Sequence, residues 1–116
     1  MIKYEFKVKE IRNKSNTRIK KRLTIDFEEP GYELLSIFIC SELKNFYNEI
    51  YPEICKLLNG KEDSFEFEGN RCSVNVGTDT AIIKDENDEA QLDDVEISTS
   101  DLAELIEEWK KEKDDL

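Results

Sequence analysis

The chain has 116 residues, 39% of them charged and 38% hydrophobic, with a formal net charge of −11 and no histidine. That length suits one domain with a modest core, so residues 1–116 read as a single domain. The acidic balance argues against direct binding of nucleic acid, whose phosphates must be neutralised by Lys and Arg, and no apolar run approaches the ~18 residues a membrane-spanning helix needs.

The charge is unevenly placed. Residues 1–22 hold nine basic residues (Lys3, Lys7, Lys9, Arg12, Lys14, Arg18, Lys20, Lys21, Arg22) and two acidic ones (Glu5, Glu10), a balance of +7. The remainder holds eight basic and 26 acidic residues, a balance of −18. A basic N-terminal end and an acidic remainder are expected.

Ile2, Tyr4, Phe6 and Val8 alternate with Lys3, Glu5, Lys7 and Lys9, the pattern of a half-buried strand. After the polar turn formers of residues 12–18 the alternation resumes through Leu23, Ile25 and Phe27, which predicts an N-terminal β-hairpin. Its outward Lys3, Lys7, Lys9, Lys20 and Arg22 lack interleaved surface aromatics on which bases could stack. They read instead as protection of an exposed strand edge.

Pro30-Gly31 ends the hairpin, and the period then changes. Leu35, Ile39, Leu43, Phe46, Ile50, Ile54 and Leu57 fall near one helical face. Pro52 should kink this helix or split it into a pair, because it removes a donor and clashes one turn back. Asn59-Gly60 is a stop signal. Phe65 and Phe67, then Cys72, Val74 and Val76, form two strands around a Gly69-Asn70 turn. A short strand from Thr80 to Lys84 follows, then a polar loop over 85–94, and Val95-Glu96-Ile97 could add one more strand. Ser98 and Asp101 resemble a capping box. Behind them Leu102, Leu105, Ile106 and Trp109 make one apolar stripe, with Glu104, Glu107 and Glu108 pointing away. The fold class is therefore α+β: an antiparallel sheet of about five strands, a kinked central helix or helix pair, and a C-terminal helix.

The residues give catalysis little support. Without histidine, Ser-His and Cys-His nucleophile pairs are impossible, and Cys40, Cys55 and Cys72 are too scattered for a thiolate cage. They read as buried, reduced thiols in a cytoplasmic protein. The start of the chain lacks the continuous apolar region of a signal peptide, which agrees with the cytoplasm. A calcium loop counted from Asp85 would use Asp85, Asn87, Glu89, Gln91, Asp93 and Glu96, but Ala90 stands where the turn needs glycine. No metal, no cofactor and no active site are expected, and the protein is read as a non-enzyme.

Residues 85–96 hold seven carboxylates and no base. Such a segment is either a solvated loop or a contact surface that steers a basic protein partner. The contact reading assigns Asp85, Glu86, Asp88, Glu89, Asp93 and Asp94 to the partner, with Glu104, Glu107 and Glu108 as a second patch.

The runs Phe65-Glu-Phe-Glu-Gly-Asn-Arg-Cys-Ser-Val-Asn-Val, Thr80-Ala-Ile-Ile and Ile97-Ser-Thr-Ser-Asp-Leu-Ala-Glu-Leu-Ile-Glu-Glu-Trp109 resemble small acidic immunity proteins of bacterial contact-dependent growth inhibition and related polymorphic toxin systems. The resemblance implies a cytoplasmic protein that binds one cognate toxin domain, often a nuclease, and blocks its active site or substrate groove. It transfers no particular contact residue. The alternative is an acidic nucleic-acid mimic of the phage type that inhibits another nucleic-acid-binding protein.

Overall fold

Alternation at the start of the chain produces a long antiparallel hairpin, β1 (Tyr4–Arg12) with β2 (Ile19–Phe27). A computed structural model describes residues 2–15, 17–87, 89 and 91–116. In the hairpin register Tyr4 faces Phe27, Phe6 faces Ile25 and Val8 faces Leu23. The base of the hairpin is tied down by an aromatic cluster. Tyr4 meets Phe6 and Phe27 at ring-centroid distances of 5.6 and 6.0 Å, and Phe27 meets Tyr32 at 5.3 Å. From Lys7 to Arg22 every described residue is exposed. The turn is organised by Asn13, whose side-chain oxygen accepts from the Thr17 amide at 2.9 Å.

The helical segment runs through α1 (Glu33–Phe38), a π-helical turn (Ile39–Leu43) and α2 (Lys44–Leu58). Pro52 was expected to kink it, but the irregular backbone lies at Phe46, with φ −127° and ψ 22°. The cause is upstream: Leu35, Ile39 and Leu43 recur every four residues, which overshoots the 3.6-residue period of an α-helix. A wider turn keeps all three buried.

Four further strands form an antiparallel meander: β3 (Ser64–Glu68), β4 (Cys72–Gly77), β5 (Thr80–Asp85) and β6 (Val95–Ser98). The fold is α+β as expected, but its six described strands divide into a two-stranded and a four-stranded sheet. Helical side chains cover the Leu23–Ile25 part of the β2 edge that faces away from β1. Ser36 donates to the Ile25 carbonyl at 3.1 Å, and the Cys40 thiol approaches that of Leu23 at 3.9 Å.

One face of the meander carries the core residues Cys72, Val74, Val76, Ala81, Ile83, Val95 and Ile97. On it lie α1, α2 and α3 (Thr99–Asp114). Ser98 caps α3 by accepting from the Asp101 amide at 3.1 Å. Thr99 fixes the helix to the β4–β5 turn, its hydroxyl donating to the Gly77 carbonyl at 2.7 Å. Leu102, Leu105, Ile106 and Trp109 are all buried, as their spacing predicts.

Candidate partner-binding surface

The strand register sets the acidic loop. Cys72 opposes Asp85 across β4 and β5, so Arg71 reaches the Asp85 carboxylate with Nε at 3.0 Å and Nη2 at 3.3 Å. The same carboxylate accepts from the amides of Asn87 and Leu92, both at 2.9 Å. It is fully buried. Arg71 and the two amides hold it at a pKa of about 2, well below the ordinary 3.8. Asp85 thus serves the interior of the loop rather than its exposed face, and it has a base to neutralise it that the loop itself does not supply. Glu86, Glu89, Asp93 and Asp94 are exposed; Asp88 lies outside the described residues, as does Ala90 of the calcium-loop count. Among the described residues no three His, Cys, Asp or Glu side chains are grouped so that they could hold a metal ion.

The second acidic set lies along α3. Glu104, Glu107 and Glu108 are exposed there, and two of them accept from tyrosines of other elements. The Tyr51 hydroxyl of α2 donates to Glu107 at 2.6 Å, and that of Tyr4 in β1 donates to Glu108. Burial raises the Tyr4 pKa, with the Glu108 bond and the fields of Glu108, Glu104 and Asp101 acting in the same direction. The phenol stays protonated and remains a donor. Between β1 and α3 opens a cleft of about 420 Å³. Ile2, Ile97 and Leu105 supply apolar surface, while Glu28, Asp101, Glu104 and Glu108 face, among the described residues, a single base, Lys3. An apolar surface edged by carboxylates suits a Lys or Arg side chain, whose stem is hydrophobic and whose head is cationic.

Against this geometry stands one comparison. A curated relative from Bacillus cereus, named "Immunity protein", is 33% identical over 79 residues, covering 67% of this chain and 68% of the relative. The chain belongs to this family of immunity proteins. No family model matches it, and no solved structure does.

In this member of the immunity protein family, the cleft edged by Glu104 and Glu108 carries no signal in the sequence. Glu28 and Asp101 were missed because only the approach of β1 to α3 brings them to Glu104 and Glu108. The hydroxyls of Tyr4 and Tyr51 were missed too, since both tyrosines sit on apolar faces. Glu42 gave no functional signal either. It is buried in the π turn and accepts from the amides of Asn70, Arg71 and Cys72 at 3.1, 2.5 and 3.2 Å. Its role is to hold the β3–β4 turn, which in turn places Arg71 against Asp85. No helix among the described residues is long and apolar enough to cross a membrane.

Proposed function

We propose that this immunity protein neutralises a cognate toxin domain in the cytoplasm, in a contact-dependent inhibition or related toxin system, by covering its active site or substrate groove. The contact surface consists of Glu86, Asp88, Glu89, Asp93 and Asp94 of the loop and Glu104, Glu107 and Glu108 of α3. The partner is basic at the covered site, as a nuclease must be to hold phosphates. The observation that carries this reading is the cleft between β1 and α3, where four carboxylates edge an apolar surface opposed, among the described residues, by Lys3 alone. A Lys or Arg that normally grips a phosphate would find there a comparable anionic seat. The protein acts by occupancy and needs no catalytic group or cofactor.

The test takes the protein encoded by the gene immediately upstream as the candidate toxin, measured by association kinetics and by protection of cells. Neutralising Glu104 and Glu108 to Gln, or Glu86, Glu89, Asp93 and Asp94 to their amides, should slow association at low salt. The deficit should shrink at high salt, where screening removes the same attraction. Both variants binding and protecting as the parent does at low salt would refute the acidic surface as the site of contact.

A further inference from the structure

The same hairpin and the same last helix form a second groove of opposite charge. It lies between β2, the π turn and the C-terminal end of α3, with a volume of about 340 Å³. Leu23, Ile39 and Trp109 give it an apolar lining, and Lys20, Lys21, Arg22, Lys44 and Lys113 surround it. Among the described residues no Asp or Glu side chain lines it. Among the described residues none of these five cations forms an ion pair. Lys113 instead sits over the Trp109 ring at 4.9 Å.

A chain with 28 acidic residues could have compensated these charges internally. Leaving them clustered and unpaired adds self-repulsion. Edge protection accounts for the cations of β2, but Lys44 and Lys113 come from two other elements and protect no strand edge. Exposed apolar side chains adjoin the groove as well. Val8 and Ile19, 50% and 53% exposed, share the hairpin face of Leu23. Beyond Leu23, toward Ile19, the edge of β2 is open among the described residues. The carbonyls of Leu23 and Ile25 face outward to Cys40 and Ser36, so by the two-residue period those of Ile19 and Lys21 face outward too.

We propose that this groove receives an extended segment of the partner polypeptide in which acidic residues alternate with apolar ones. The carboxylates meet the five cations, the apolar side chains meet Leu23 and Val8, and the backbone lies along the free edge of β2. A nucleic acid fits less well. The accessible apolar side chains are aliphatic and give bases nothing to stack on, the Trp109 ring is only 3% exposed, and a continuing phosphate chain would run into the acidic remainder of the molecule. The inference rests on the reading of the chain as a toxin-binding immunity protein.

The probe is a short synthetic peptide alternating glutamate with leucine, titrated into the full chain and followed by amide NMR shifts. The comparison is the variant Lys20→Glu/Arg22→Glu/Lys44→Glu, whose three positions are exposed and whose two strand positions face Ile11 and Lys9, so that reversal sets no like charges opposite each other. Shifts should gather on β2, the π turn and the end of α3, and the variant should bind about tenfold more weakly or worse. Shifts elsewhere, equal binding by the variant, or tighter binding of a single-stranded oligonucleotide in the groove would overturn the proposal. The candidate toxin encoded upstream separates the two readings. If the parent binds it and the triple variant binds equally well, the groove is not used and the immunity reading stands. If the parent does not bind it, the immunity reading fails, while the peptide result still decides whether the groove takes acidic segments.

Discussion

The carboxylate of Glu42 occupies the space that a β-carbon on Gly69 would need. The requirement for glycine there is steric: a buried helical side chain presses against the β3–β4 turn and takes its amides as hydrogen-bond donors.

Gly69→Ala should therefore destabilise the protein by about 1–3 kcal/mol, as overpacking does. Glu42→Ala should cost at least about 1–3 kcal/mol by leaving buried amides unpaired. The double variant should cost less than the two added together, because the new methyl enters space the carboxylate has left. Urea unfolding of the three variants measures the coupling, and strict additivity would show that the two residues do not compete for that space.

Asp85→Asn should lower the unfolding midpoint at neutral pH, since an amide cannot accept from Arg71 and both loop amides at once. The folded pKa of Asp85 lies below its ordinary value, at about 2 against 3.8. Its contribution is thus fully present above the ordinary pKa and is lost as pH falls toward the folded one. The gap between parent and variant should be constant above roughly pH 5 and close between about pH 4 and 2. A gap that persists unchanged at the acid end would mean that ionisation of Asp85 is not what holds the loop.

The Cys72 thiol is buried, and burial foremost pushes its pKa up to about 12. Cys40 and Cys55 are only partly covered. A thiol reagent at neutral pH should leave Cys72 unmodified in the folded protein and reach all three cysteines in denaturant. Modification of Cys72 at a rate matching Cys55 would mean that β4 opens far more readily than its packing implies.

The Tyr51 phenol is raised above its ordinary pKa, chiefly by the hydrogen bond it donates to Glu107. In an alkaline spectrophotometric titration, Glu107→Gln should bring one tyrosine to a lower ionisation pH. Because the folded pKa is the higher one, this interaction stabilises below the ordinary phenol pKa and is lost as pH rises. An unchanged titration curve would place Tyr51 away from Glu107 in solution.

The sequence made α3 and the meander legible because capping, spacing and alternation agree there. Ser98 accepts from Asp101, the Leu102–Trp109 stripe is buried, and Phe65 and Phe67 pair with Val76 and Val74. Pro52 misled because a proline is a local breaker, while the real irregularity serves the fit between helix and sheet. The four-residue spacing of Leu35, Ile39 and Leu43 was its visible sign. Asp85 could not be separated from its acidic neighbours by composition. Only the pairing that sets Cys72 opposite Asp85 brings Arg71 within reach. The cleft and the groove were both illegible for the same reason: each arises where the hairpin meets α3, and residues so far apart in the chain carry no mutual pattern.

The π turn over Ile39–Leu43 has a consequence for how this chain can change. Each residue of a helix turns the following ones by about 100°, so deleting one residue there would swing Phe46 off Phe67, which it now meets at 5.2 Å. Inserting one would swing it the other way. Glu42 within the π turn and Phe46 just beyond it are both seated against the same sheet. The segment should accept many single replacements and reject almost any change of length, so variation among descendants of this gene should there take the form of substitutions rather than gaps.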